Sequence, residues 1–189
     1  GRQVPVTCDP VFLEDFSGFA KLRPRGLPND YILVYAFPST VESLGNVVLQ
    51  RMQQELKSPV LVIPPADFQV YDFPGGDRYI RHLDPRGWVA LIAHAKAFLT
   101  NSFHGMAMAS KLGTPFVAFY ESHSPIAYRL DDIADRYGLR DRVVNRIEDI
   151  TRLELAWEEE NKKSAAEAIR RHAEASRMFL QNALENIQP

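Results

Sequence analysis

Tyr31–Phe37 (YILVYAF) is an almost unbroken apolar run, as a strand buried on both faces requires. Runs of the same kind return at Pro59–Ile63 (PVLVI), Ala97–Thr100 (AFLT) and Pro115–Tyr120 (PFVAFY). Between them the apolar period changes to that of a helix. Val41, Leu44, Val48, Met52 and Leu56 lie at spacings of three and four, so a helix is expected over Thr40–Lys57, capped by Thr40 with Glu42 in its first turn. Asp84-Pro85 supplies a cap and a proline at the first helical position for a helix whose inner face is Trp88, Leu91, Ile92 and Ala95. Phe103–Leu112 should stop at Gly113, and Pro125–Tyr137 at Gly138. Short strands are expected at Tyr79–Ile80 and Arg142–Val144, and the chain reads as helical from about Thr151. Strands separated by helices of this length imply right-handed β–α–β crossovers. The expected fold is α/β, a Rossmann-like, mainly parallel sheet with helices on both faces.

Residues 1–30 carry no clear period and are punctuated by Pro5, Pro10, Pro24 and Pro28. They read as a lead-in or linker with one short helix at Val11–Lys21. The sheet should occupy residues 31–150. A helical segment over 151–189, with Ile169, Ala173, Ser176, Leu180, Ala183 and Leu184 on one face, should pack on the same domain. With 46% hydrophobic and 24% charged residues the chain has the balance of a globular protein, and a net charge of −2 gives no global field for nucleic acid. Basic residues cluster at Lys21, Arg23 and Arg25, and again at Lys162, Lys163, Arg170 and Arg171; both clusters read as solvated faces. The single cysteine, Cys8, excludes an intrachain disulfide and a cysteine metal cluster, in keeping with a cytoplasmic location. No apolar run is long enough to span a bilayer, and no signal peptide opens the sequence. A first residue that is glycine rather than methionine suggests a processed product or a piece of something longer.

In open α/β sheets ligands sit beyond the carboxyl ends of the strands. The loops that qualify are Pro38–Thr40, Pro64–Asp84, Asn101–Gly105 and Glu121–Ser124, and only the third is sharply defined. There an apolar strand runs into Thr100-Asn101-Ser102 and then into a helix that Asn101 or Ser102 can cap. The unbonded amides of the first turn, with the positive end of the helix dipole, make a site for a phosphate or carboxylate. His104 stands in that turn, and Gly105 and Ala107 let the helix approach the sheet closely. A plain capped helix with an ordinary histidine is the competing reading.

Thr100-Asn-Ser-Phe-His-Gly105, followed by Gly113-Thr-Pro-Phe-Val-Ala-Phe119, resembles the signature of the polysaccharide pyruvyl transferases. Asp9–Leu13, Tyr31–Tyr35, Trp88–Ala95 and Leu139–Arg142 resemble further stretches of that family in the same order, so the likeness runs over roughly residues 9–145. It implies the second half of a two-lobed enzyme, resembling the carboxy-terminal domain of a GT-B glycosyltransferase, with residues 31–150 as the donor-binding domain. The partners it implies are phosphoenolpyruvate and a glycan or sugar-lipid acceptor, with no nucleic acid. A peripheral place at the membrane would come through such an acceptor. A first half that helps to form the acceptor site has no counterpart here, so catalysis by this piece alone is not expected. The activity implied is transfer of pyruvate to a sugar as a ketal, in exopolysaccharide or cell-surface glycan synthesis, without a cofactor. Ketal formation needs a proton donor and acceptor, work suited to histidine. The resemblance therefore puts His104 forward as general acid/base or phosphate contact. Asn101, Ser102, Phe103 and Gly105 come with it as binding residues. Arg129, near the start of the following helix, and His123, past a strand end, are further candidates.

His82, His94 and His172 read as structural. Gly75-Gly76-Asp77-Arg78 lacks the spacing of a dinucleotide fingerprint, Asp72, Asp77 and Asp84 are too scattered for a metal, and no G-x-S-x-G elbow occurs. Two other functions stay open: a sugar-nucleotide glycosyltransferase domain of the same architecture, and a non-catalytic binding fragment.

Overall fold

A computed structural model describes residues 6–37, 44–65 and 73–186. The expected cap at Thr40, together with Val41 and Glu42, lies outside the described residues, as does Asp72. Strands β1 (Ile32–Tyr35), β2 (Val60–Val62), β3 (Arg78–Tyr79), β4 (Ala97–Thr100), β5 (Phe116–Phe119) and β6 (Val143–Val144) form one parallel sheet in the order β3-β2-β1-β4-β5-β6. The chain moves outward from β1 to β3, returns to the centre at β4, and moves outward the other way. Right-handed crossovers then force the connections of the two halves onto opposite faces. Helix α2 (Asn46–Leu56) covers one face, and α3 (Pro85–His94), α4 (Phe103–Leu112) and α5 (Ala127–Tyr137) cover the other.

Burial follows the strand period of two. Leu33, Leu61, Phe98 and Phe116 face the core under α3, α4 and α5, whereas Val34, Val62, Leu99 and Val117 face the core under α2. Each central strand is buried on both sides, which explains why it reads as a continuous apolar run. Local signals set the helix ends. The Asp84 carboxylate caps α3 by accepting from the Gly87 amide at 2.6 Å, and Gly113 and Gly138 end α4 and α5 with φ of 71° and 67°.

The lead-in segment is packed onto this frame. Its expected helix at Val11–Lys21 is divided into a 3-10 turn, Pro10–Phe12, and a short helix α1 (Ser17–Ala20). The division falls at Asp15, whose carboxylate accepts from the Ser17 amide at 2.8 Å and from its hydroxyl at 3.0 Å, a local turn that competes with helix. Phe12 is buried edge-on against Tyr137, with ring centroids 5.0 Å apart. Lys111 of α4 donates to the Phe12 carbonyl at 2.8 Å. The Cys8 amide donates to the Ser176 hydroxyl, 2.9 Å away on helix α6 (Glu159–Glu185). Helix α6 packs on α4 and α5 through Ala165, Ile169, Ala173 and Ser176. It then runs past the core: Leu180 and Leu184, expected on the same buried face, are exposed. No helix among the described residues is long and apolar enough to cross a membrane.

Candidate functional site

The sheet order places a topological switch point between β1 and β4, where the connections leaving the two strands diverge and open a crevice. The turn from β4 into α4 lies there. Thr100, fully buried, donates its hydroxyl to the Tyr35 carbonyl at 2.7 Å and accepts from the Ser102 amide at 3.0 Å. The Asn101 side chain clasps the end of β1: its oxygen accepts from the Phe37 amide at 2.7 Å, and its nitrogen donates to the Phe37 carbonyl at 2.9 Å. Of the two expected capping residues, Ser102 is the cap. Its hydroxyl accepts from the Gly105 amide at 3.4 Å, and its carbonyl from the Met106 amide at 2.9 Å. The amides of Phe103 and His104 have no acceptor among the described residues. They are the open donors of the helix end.

Asn101 and Ser102 are 4% and 5% exposed, so they shape the turn from within rather than present themselves to solvent. His104 is exposed, with its ring edge-on to Phe103 at 5.3 Å. Arg129, in the first turn of α5, lays its guanidinium over the same Phe103 ring, 4.0 Å from the centroid. One aromatic ring thus supports both the imidazole and a cation beside the open amides. His123 is exposed in the loop after β5 and makes no hydrogen bond or ring contact among the described residues. Gly105 is required by space: a Cβ there would stand 2.4 Å from Thr100 Oγ1. At the end of β5 the buried Tyr120 hydroxyl donates to Asp131 at 2.5 Å, and burial holds its phenol well above the ordinary range.

A cavity of about 690 Å³ opens beyond β1, β2 and β3. Its walls include Tyr35, Pro64, Arg81, His82 and Trp88, with Tyr35 and Trp88 edge-on at 5.7 Å. Tyr35 joins this cavity to the β4–α4 turn, because its carbonyl is the one Thr100 holds. The sequence pointed to the loop over 64–84 but not to these aromatics, since Trp88 falls in the apolar stripe of α3. His82 adopts a left-handed φ of 57° in the same wall. His172 is structural in its contacts: Nδ1 lies 2.9 Å from the Tyr137 hydroxyl and Nε2 lies 3.0 Å from the Val6 carbonyl. No group of three or more potential metal ligands occurs among the described residues.

The family model for "Polysaccharide pyruvyl transferase" matches residues 1–123, which include the whole β4–α4 turn. The chain belongs to the polysaccharide pyruvyl transferase family. Among solved structures, a glycotransferase of kitacinnamycin is 15% identical with a TM-score of 0.54, covering 89% of this chain and 45% of that one. The spinosyn forosaminyltransferase SpnP is 17% identical with a TM-score of 0.47 over 84% of this chain and 42% of its own. The glycosyltransferase SnogD from Streptomyces nogalater is 14% identical with a TM-score of 0.45 over 97% and 48%. The family member described here therefore spans less than half the length of these structures. Its fold is α/β and Rossmann-like, as found in GT-B glycosyltransferases. No curated protein matches the chain.

Proposed function

We propose that this chain is the donor-binding half of a polysaccharide pyruvyl transferase, taking phosphoenolpyruvate at the β4–α4 turn. The observation that carries the reading is the conjunction at the switch point of the open Phe103 and His104 amides, the exposed His104 imidazole and the Arg129 guanidinium on one ring. Amides at a helix start and a guanidinium are the donors an anionic phosphate or carboxylate requires.

In the reaction proposed, the methylene carbon of phosphoenolpyruvate takes a proton and the adjacent carbon becomes a cation that a sugar hydroxyl attacks. A second hydroxyl then displaces phosphate, closing the ketal. Of the two hydroxyl protons, one is balanced by the new methyl group and the other leaves with phosphate. His104 moves a proton in this sequence, while Arg129 and the two amides hold the donor's charge. Asn101 and Thr100 act as positioning residues by fixing the turn to β1. The acceptor lies toward the cavity beside Tyr35 and Trp88, and a missing first half completes its site. We place the work in exopolysaccharide or cell-surface glycan synthesis, at the cytoplasmic side.

Calorimetry tests this directly. The wild-type chain should bind phosphoenolpyruvate, and His104→Ala and Arg129→Gln should each weaken binding about tenfold, the loss of one charge-assisted contact. Binding of a sugar nucleotide without phosphoenolpyruvate would favour the glycosyltransferase reading that the fold also allows. Binding of phosphoenolpyruvate with equal affinity in all three proteins would remove this turn from the site.

A further inference from the structure

The two basic clusters of the sequence have different fates in the fold. On α6, Lys162 pairs with Glu159 at 2.8 Å, Arg170 with Glu174 at 2.9 Å and Arg171 with Glu167 at 3.5 Å. Those three are paired along their own helix. Around Arg23 and Arg25 the opposite holds. Chain folding brings Arg78 and Arg81 of the β3 edge to the same place, and the four arginines line one pocket of about 390 Å³. Arg23, Arg25 and Arg78 have no carboxylate within ion-pairing distance among the described residues. Two of them are held by neutral acceptors: Arg23 by the Asn29 side-chain oxygen and Arg78 by the Gly26 carbonyl, each at 2.9 Å. Such bonds orient a guanidinium without cancelling its charge.

Two carboxylates next in sequence to pocket residues are turned to backbone amides. Asp77 accepts from the Val60 amide at 2.7 Å, and Asp84 caps α3. The rest of the lining is apolar, with Leu22, Leu27, Ile80, Leu83 and Leu91. Leu22 is 48% exposed at the rim. In a chain of net charge −2, three guanidiniums without an ion pair among the described residues, those of Arg23, Arg25 and Arg78, thus gather from separate segments around an apolar-walled hollow. Guanidinium geometry suits the paired oxygens of a phosphate, and the apolar walls suit what a phosphate ester carries. Ile80, Arg81 and Leu83 also line the larger cavity, so the pocket lies behind a shared wall rather than at the β4–α4 turn.

We infer that this pocket is a second anion site, binding a phosphate or diphosphate group attached to an apolar moiety. The chemistry is shared by a free ester and by a phospholipid headgroup, and the inference does not rest on the pyruvyl-transfer reading. The test uses the full chain in two arms. Calorimetry measures inorganic pyrophosphate, and co-sedimentation measures vesicles of phosphatidylcholine with and without phosphatidylglycerol. The variants are Arg25→Gln, in which no hydrogen bond among the described residues is lost, and Arg25→Gln/Arg78→Gln. The control is Arg170→Gln/Arg171→Gln, which removes equal charge from the paired residues of α6. Each pocket arginine should be worth about tenfold in affinity, the control should bind as the wild type does, and added salt should weaken binding. Pyrophosphate binding that follows this pattern establishes the site for a free phosphate or diphosphate group. Binding confined to phosphatidylglycerol vesicles with the same pattern establishes it for a headgroup. Absence of binding in both arms, or an equal loss in the control, overturns the inference.

Discussion

Substituting Gly105 by alanine tests the close approach on which the candidate site is built. The new Cβ would meet Thr100 Oγ1 at 2.4 Å, Cβ at 3.2 Å and Cγ2 at 3.3 Å, whereas ordinary contact begins at 3.4 Å. Thr100 cannot simply turn away, because its hydroxyl is bonded to the Tyr35 carbonyl and the Ser102 amide and the residue is fully buried. Overpacking of this kind costs about 1–3 kcal/mol. Loss of the two Thr100 bonds adds about 1 kcal/mol each. Alanine's better helix propensity returns about 0.8–1 kcal/mol. The net expectation is a loss of about 2–4 kcal/mol, a fall in melting temperature of roughly 4–16 °C for a chain of this size. Thermal unfolding followed by circular dichroism reads it. The partner variant Thr100→Ala removes Oγ1 and Cγ2, two of the three close atoms, so the double variant should be less destabilised than the two single losses combined. A Gly105→Ala protein that melts at or above the wild-type temperature, as helix propensity alone requires, would refute the reasoning.

Asn101→Ala strips two hydrogen bonds from Phe37 and should cost about 2 kcal/mol in urea unfolding. Asn101→Asp should not rescue it, since a second acceptor would then face the Phe37 carbonyl; wild-type stability in either variant would count against the clasp. Burial pushes the phenols of Tyr31, Tyr120 and Tyr137 well above their ordinary value of about 10. The unfolded chain therefore releases these protons first. Their contribution to stability is complete below about pH 10 and declines as pH rises beyond it. In a spectrophotometric titration these three of the seven tyrosines should ionise only with unfolding, and a single reversible transition for all seven would contradict it.

The strands and the turn at the site were legible because their signals are local. Strand β4 and helix α4 fall where the apolar run, the Ser102 cap and Gly113 place them. What joins the turn to the sheet was not legible. The Asn101–Phe37 clasp spans 64 residues, and no spacing rule reaches that far. Strand order is also invisible to periodicity, so the switch point emerges only with the fold. Trp88 was hidden by its own regularity, since an aromatic in a helical stripe reads as core. The basic residues at 23 and 25 looked like a solvated face because Arg78 and Arg81 join them only in space. The end of α6 misled in the other direction: its apolar spacing persists after the surface it covers has ended.

The strap joining Cys8 to Ser176 bridges 168 residues. A ribosome emits the first of these partners long before the second, so the layer over α4 and α5 cannot close until α6 has left the exit tunnel. Phe12 and Tyr137 wait meanwhile with water on a flank meant to be dry, a state that invites aggregation. Contacts so distant along the chain also slow the search for the native state. Production of this protein should accordingly benefit from a chaperone able to shield that unfinished layer.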